Sequence, residues 1–192
     1  MAWSGTIGSA AGLACFLCQA AAADGYFLQG DAGARTQSVV ASASRGPLNY
    51  GLNVFNYDEG HSSAISFTYT MPLAEVAVLK AGPTLGLQQE QNEGNDLQAG
   101  LKLSVERYVP TDFGSTYALV DMSTVHESWF LLGQMTFASA NIGVELSRGG
   151  SDSYHETTLA LQKRIADGPY GIRIGYKLTS EELFAGFFTN TF

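Results

Sequence analysis

The chain has 192 residues and a formal net charge of −8, and only 15% of its residues are charged while 45% are hydrophobic. This length allows one domain of ordinary size. The acidic balance argues against a nucleic-acid partner, because phosphate binding needs clustered Lys and Arg, and no apolar run is long enough to predict a membrane-spanning helix.

Residues 1–23 have the pattern of a secretory signal peptide. Ile7 to Leu17 forms a short apolar core, and Ala21 to Ala23 offers a small-residue cleavage site before Asp24. The first four residues carry no Lys or Arg, which departs from the pattern. Both cysteines, Cys15 and Cys18, lie within this segment, so a chain cleaved after residue 23 would have no thiol for disulfide or metal chemistry.

From residue 24 onward the sequence predicts strands and turns and no helix. In segment 64–71, for example, apolar and aromatic residues alternate with Ser, Thr and Ala at a period of two. Two early segments, 25–30 and 35–43, are rich in small residues and show this pattern least clearly. The predicted strands cover 25–30, 35–43, 48–54, 64–71, 77–87, 97–106, 113–124, 129–137, 141–147, 154–165, 170–178 and 183–192.

The breaks between these strands are of two alternating kinds. Every second break is tight, and most of these breaks hold a proline, whose missing N–H then costs no ladder bond. The tight set comprises the breaks at Pro47, Pro72, Pro110, 138–140 and Pro169. The other set is acidic and comprises Asp58-Glu59, 90–96, Glu127 with nearby Asp121, Asp152, and Glu181-Glu182. Pro83 falls inside a strand and predicts a local irregularity there.

The last ten residues, 183–192, form a strand that ends on an aromatic ring. Phe184, Phe188 and Phe192 recur on one face, and the chain stops at Phe192. This ending resembles the closing strand of bacterial outer-membrane β-barrels of the small porin-like and OmpA-like kind, where it acts as an assembly signal. Asn190 stands where that family usually has an aromatic or apolar residue. The resemblance implies an outer-membrane location in a Gram-negative envelope, with the barrel assembly machinery and outer-membrane lipid or lipopolysaccharide as partners.

We therefore predict an all-β fold: a closed, antiparallel, up-and-down transmembrane β-barrel over residues 24–192. Breaks counted back from the C-terminus give twelve strands, or ten if the first strands merge and 138–140 is only a bulge; eight would need longer loops. The polar strand faces carry Ser, Thr, Asn and Gly, which are too small and uncharged for a soluble exterior and suit a lumen. The apolar faces should then point toward lipid. Arg107 and Lys163 fall on those faces and should lie near the periplasmic rim, where long cationic side chains can reach the headgroups.

Charged residues on the polar faces are the first candidate site. They can form a paired network that fills the interior, because buried charges require partners. They can instead line a narrow pore and set its selectivity, since twelve strands can enclose more space than side chains fill. The predicted lumen charges are Lys102, Glu106, Glu145, Glu156, Arg164, Arg173 and Lys177.

A second candidate site lies at an acidic break. His126 and Ser128 are two residues apart and would share one face of a strand; with Glu145 or Asp121 nearby they would form an acyl-transfer triad. The pair is similar to the His-x-Ser of outer-membrane lipid A deacylases. Trp129 follows where that family has Asn, and the family's acidic residue about a dozen positions further on is missing.

No motif predicts a metal or a cofactor. His61 and His155 share no spacing suited to a metal, and no phosphate-binding glycine loop is present. The acidic breaks could hold divalent cations that bridge lipopolysaccharide phosphates, or be solvated loop charge. The sequence thus predicts a structural barrel or narrow passive channel. A lipid-directed esterase and a surface-binding module acting through acidic loops are the alternatives, and the oligomeric state stays open.

Overall fold

The computed structural model describes residues 24–58, 60–74, 76–90, 94–151, 154–166 and 168–192. The predicted signal peptide lies outside the described residues. The described chain forms twelve antiparallel strands that close into a single barrel, and the predicted fold class and strand number are confirmed. A single-turn 3-10 helix, Val125–Glu127, is the one helical element in the described part of the chain. No helix among the described residues is long and apolar enough to cross a membrane.

The strands are β1 (Gly25–Gly33), β2 (Gln37–Arg45), β3 (Leu48–Tyr57), β4 (Gly60–Leu73), β5 (Ala77–Glu90), β6 (Gly94–Thr111), β7 (Gly114–Ser123), β8 (Trp129–Phe137), β9 (Ile142–Gly150), β10 (His155–Arg164), β11 (Tyr170–Lys177) and β12 (Glu182–Asn190). The two segments rich in small residues are true strands, β1 and β2. The 138–140 break is a true turn between β8 and β9, which excludes the ten-strand alternative.

Each strand pairs with the next along the chain, and β1 pairs with β12 from Phe27–Asn190 to Gly33–Phe184. This last pairing closes the barrel, so every strand has a partner on both sides. Since the number of strands is even, β1 begins and β12 ends on the same rim, which we call the terminal rim; the opposite one is the far rim.

The predicted alternation of the breaks is confirmed in outline. Pro47 and Pro169 lie in terminal-rim connections, and Pro72 and Pro110 are the next-to-last residues of β4 and β6 on the same rim. The acidic connections lie on the far rim. Both rims have short connections of two to five residues. The far rim therefore lacks the larger loops that the membrane-barrel pattern had led us to expect.

The predicted facing of the strands is also confirmed. Phe67, Leu101 and Ile174 are 48%, 66% and 59% exposed on the outside of the barrel, whereas Ser66 and Ser104, next to or near them in sequence, are buried on the inside. An apolar exterior with a small, polar interior is the pattern of a barrel in lipid.

Pro83 interrupts the ladder between β4 and β5. Pairing runs from Gly60–Glu90 to Ser66–Thr84, resumes at Tyr69–Ala81, and omits the two positions between them. The register is the same on both sides of the gap. The irregularity predicted at Pro83 is therefore local, as expected for a residue without an N–H.

The closing strand β12 places phenylalanines opposite glycines on both neighbouring strands. Phe184 lies opposite Gly175 and Phe188 opposite Gly171 on β11, and a Cβ at either glycine would overlap the facing ring. On the β1 side, Gly30 lies opposite and under Phe187. Phe184 and Phe188 are buried on the inner face, contrary to a simple apolar-outward rule, because the glycines leave room for their rings.

The two cations that the sequence predicts to face outward, Arg107 and Lys163, lie toward the terminal rim. Lys163 is the next-to-last residue of β10, and its ammonium donates to the carbonyl of Ala140 in a terminal-rim turn. Arg107 is exposed four residues before the end of β6. The position of Lys163 agrees with the prediction that a long cationic side chain reaches the rim. Arg107 pairs with Ala118, near the middle of β7, so its placement at the rim stays a prediction.

Candidate functional site

The inner wall of β5, β6 and β7 carries a ladder of ion pairs. Lys80 Nζ lies 2.7 Å from Glu106 Oε1, and Lys102 Nζ lies 2.7 Å from Asp121 Oδ2. The Tyr117 hydroxyl donates to Glu106 at 2.9 Å. Both ion pairs join diagonal neighbours on adjacent strands, which the antiparallel register brings within reach. We call Lys80, Glu106, Lys102 and Asp121 the β5–β7 charge ladder.

The β5–β7 charge ladder is partly open to water. The side chains of its four residues are between 17% and 23% exposed, although all of them point into the barrel. Surface of this kind inside a closed sheet belongs to space that water can enter. Charges there can act on a passing solute, whereas fully packed charges would only fill the interior.

The opposite side of the lumen is filled by a buried cluster around Arg173. Its guanidinium donates to Glu145 at 3.1 Å and lies 3.4 Å from Asp31, the latter an ion pair without hydrogen-bond geometry. It also lies over the Phe184 ring at 5.3 Å, and Gln162 donates to Glu145 at 2.7 Å. The Arg173 and Glu145 side chains are 2% and 5% exposed. This Arg173 cluster closes its side of the barrel to water.

Two further carboxylates fasten the far-rim connections. Glu182 accepts hydrogen bonds from the Thr36 N–H at 3.1 Å and the Thr36 hydroxyl at 2.5 Å, and it lies 3.7 Å from Lys177 Nζ. Glu156 accepts from the backbone N–H groups of Thr179 and Ser180 at 2.7 and 3.0 Å. These carboxylates hold neighbouring connections together at the rim.

Tyr154 stands beside one of these carboxylates in the connection before β10. Its hydroxyl donates to Glu156 at 3.1 Å. Burial, and then the neighbouring Glu156 carboxylate, raise the pKa of Tyr154 to about 12. The phenol therefore stays protonated at neutral pH and keeps its donor role.

All seven charges predicted for the lumen lie on inner strand faces, and five of them form ion pairs there. Glu156 and Arg164 bind backbone instead: Arg164 donates to the carbonyl of Gly168 at 3.3 Å. In the described part of the chain neither makes an ion pair, so the ion-pair network includes five of the seven predicted residues. Whether the inner charges set selectivity stays a prediction.

Four charged residues of the inner wall were not among those predicted from the sequence. Asp121 and Glu182 had been assigned to acidic connections, yet both lie in strands and form ion pairs. Lys80 lies where Val76 and Val78 blur the alternation, and Asp31 lies in a segment of small residues. A strict period of two continued through β7 would have placed Asp121 inside, since Val120 and Met122 face out.

The candidate triad is not assembled. His126 Nδ1 lies 3.5 Å from Asp96 Oδ2, and the Ser128 hydroxyl donates to the Val125 carbonyl at 3.0 Å. Glu145 belongs to the Arg173 cluster. Among the described contacts, no hydrogen bond joins His126 to Ser128 or to Glu145, because the 3-10 turn separates the first two side chains. The esterase hypothesis gains no support from this geometry.

Comparison with known proteins supports the architecture. No protein-family model matches the sequence, and no curated protein matches it. A solved structure titled KdgM porin aligns with a TM-score of 0.53 and 15% identity, covering 86% of this chain and 98% of that one. The fold is porin-like. The outer membrane protein Omp33 of Acinetobacter baumannii aligns with a TM-score of 0.50 and 11% identity, covering 87% of this chain and 97% of that one.

At such identities the porin-like likeness concerns the fold alone. It supports the porin-like part of the resemblance inferred from the closing strand, whereas the OmpA-like part stays a prediction. In the described residues, no group of three His, Cys, Asp or Glu side chains is placed to hold a metal ion.

Proposed function

We propose that this chain is a narrow, passive channel in the outer membrane of a Gram-negative envelope. The carrying observation is the β5–β7 charge ladder, whose four side chains keep about a fifth of their surface exposed inside a closed barrel. The Arg173 cluster occupies the other side, so the remaining path is narrow. Only small hydrophilic solutes would pass it.

The proposed location rests on three further observations. The barrel exterior is apolar, the two aligned structures are titled as a porin and an outer membrane protein, and residues 1–23 have the pattern of a secretory signal peptide. Outer-membrane lipid would surround the strands. The barrel assembly machinery would insert the chain, with Phe184, Phe188 and Phe192 as its assembly signal.

The test is conductance of the purified, folded protein in planar lipid bilayers. We expect ohmic steps from the wild-type protein. Ser104→Trp should lower the single-channel conductance, because Ser104 is buried on the inner wall between the two ion pairs of the ladder. The matched control is Leu103→Trp, since Leu103 faces outward and is 44% exposed. Electrical silence of folded wild-type protein would favour a purely structural barrel.

A further inference from the structure

We propose that this pore prefers cations and that Asp96, beside a narrowing at the far rim, determines the preference. The inference rests on the proposed channel function and specifies its solute class as small cations, inorganic or amine. It follows from where charges of each sign lie on the barrel.

The outer and inner faces of the barrel differ in the sign of the charges that they carry. In the described strands every acidic residue lies on an inner face, whereas the charges on outer faces are all cationic: Arg45, Arg107, Arg148 and Lys163. The inner faces carry five cations: Lys80, Lys102, Arg164, Arg173 and Lys177. They carry eight carboxylates: Asp31, Glu90, Asp96, Glu106, Asp121, Glu145, Glu156 and Glu182. The lumen is therefore lined by more negative than positive charge.

The ion pairs show which carboxylates account for the excess of negative charge in the lumen. Four of the inner cations are held by carboxylates within 4 Å. Among the described residues Glu90, Asp96 and Glu156 have no Lys or Arg partner. Glu156 is held by the backbone N–H groups of Thr179 and Ser180, whereas Glu90 and Asp96 lie at the far-rim ends of β5 and β6. Glu90 accepts from Gln88 at 2.7 Å and Asp96 from Gln98 at 2.7 Å. Asp96 remains 60% exposed, so its charge reaches the water at this opening.

The same opening is narrowed by the 124–128 connection, which folds inward. Val125 is only 3% exposed and packs on the inner faces of Gly86 and Gly100. An added Cβ would overlap Val125 at Gly86 and the Thr124 hydroxyl at Gly100. The backbone N–H of His126 donates to Gln98 at 2.9 Å. Both glycines are on strands other than those the connection joins, so the segment leans across β6 onto β5.

Asp96 and the inward-folded 124–128 connection lie next to each other at the far rim. Gln98, which holds the connection, is two residues from Asp96 on the same face of β6, and His126 Nδ1 lies 3.5 Å from the Asp96 carboxylate. A carboxylate without a Lys or Arg partner, in a narrow opening with low-dielectric walls, concentrates cations and repels anions. Asp96 should thus act on each ion as it passes this narrowed opening.

The test is the reversal potential of single channels in a KCl gradient. The wild-type protein should be more permeable to K⁺ than to Cl⁻. Asp96→Asn should move the permeability ratio toward one, and Asp96→Lys should invert it. The matched control is Asp112→Asn, which removes the same charge from an exposed turn on the terminal rim; its ratio should remain near that of the wild type.

A second pair of variants tests the narrowing. Gly100→Ala should push Thr124 and Val125 away from the wall and further into the opening, and so lower the conductance. The control Gly143→Ala also adds a methyl to an inner face, where its tightest contact is the flexible amide of Gln134 at 3.2 Å and Gln162 lies at ordinary contact distance. His126→Gln should not reduce the cation preference, because it removes an imidazole and leaves the carboxylate.

The outcomes separate this inference from the proposed function. Folded wild-type protein that never conducts contradicts the channel itself. A protein that conducts but prefers Cl⁻, or whose preference is unchanged by Asp96→Asn, remains a channel and overturns the assignment of Asp96. Equal conductance of Gly100→Ala and Gly143→Ala would overturn the narrowing. Faster gel migration before boiling confirms that each variant has folded.

Discussion

Arg173 illustrates how a single side chain is positioned inside this barrel. It lies opposite Gly186 of β12, and Gly186 in turn lies opposite Asp31 of β1. The missing side chain at Gly186 leaves the space in which the guanidinium and the Asp31 carboxylate meet. A cation that is 2% exposed is stable only with such partners, because burial of an unpaired charge costs far more than any one contact returns.

We predict that Arg173→Met lowers the free energy of unfolding by about 3–5 kcal/mol, the usual cost of leaving buried charges unpaired. The substitution strands Glu145 and Asp31 in a site closed to water. Arg148→Met is the control, because Arg148 is exposed on the outer face. Urea unfolding of both variants in detergent micelles measures the difference, and equal stabilities would contradict the role given to the Arg173 cluster.

At the scale of the element, β12 holds the barrel closed by pairing aromatic rings with glycines. Phe184 and Phe188 cover glycines of β11, and Phe187 covers Gly30 of β1. The Phe192 ring lies against Gly25 beyond the end of β12. Cross-strand pairs of this kind stabilise a sheet by packing the ring where the glycine has no side chain. The phenylalanines that the sequence suggests as an assembly signal thus also stabilise the contact between β12 and its neighbouring strands. Their role as a signal stays a prediction.

We predict that Phe184 and Gly175 are energetically coupled. Phe184→Ala should destabilise the barrel by about 3–5 kcal/mol through the cavity it leaves. Gly175→Val should destabilise it by displacing the ring and by crowding the Leu159 carbonyl. The double variant should lose less than the two single losses combined, because valine then fills the space of the missing ring. A coupling of about 0.5–3 kcal/mol is expected for residues in contact, and unfolding of the three variants measures it. Strict additivity would contradict the pairing.

At the scale of the whole molecule, closure of β1 on β12 gives every strand a hydrogen-bonded neighbour on both sides. An open edge would leave N–H and C=O groups bare in lipid at several kcal/mol each. The exterior is apolar around the strands, and its outward charges are long cationic side chains. The molecule therefore suits a bilayer as a closed unit, and not as an assembly of separable hairpins.

We predict that an unboiled sample migrates faster than a boiled one on a denaturing gel. A sheet without an edge offers detergent no strand to peel away, so the compact barrel should survive until it is heated. The boiled sample, run on the same gel, provides the mobility of the unfolded protein. Identical mobility at all temperatures would contradict a closed barrel of this stability.

The sequence by itself predicted the strands, a preferred number of twelve and the direction in which most strand faces point. These follow from the period of two within each strand and from the alternating chemistry of the breaks, both of which are local properties of the chain. Segment 64–71 shows its outward face without reference to any neighbour. The proline at 83 likewise marked its irregularity from one residue type alone.

The tertiary structure decided which residues meet. Lys80 reaches Glu106, and Lys102 reaches Asp121, only because the register of β5, β6 and β7 sets them on adjacent diagonals. Likewise, His126 and Ser128 are separated by a turn whose inward course depends on glycines of two other strands. Register and closure join residues far apart in sequence, and no local period encodes them.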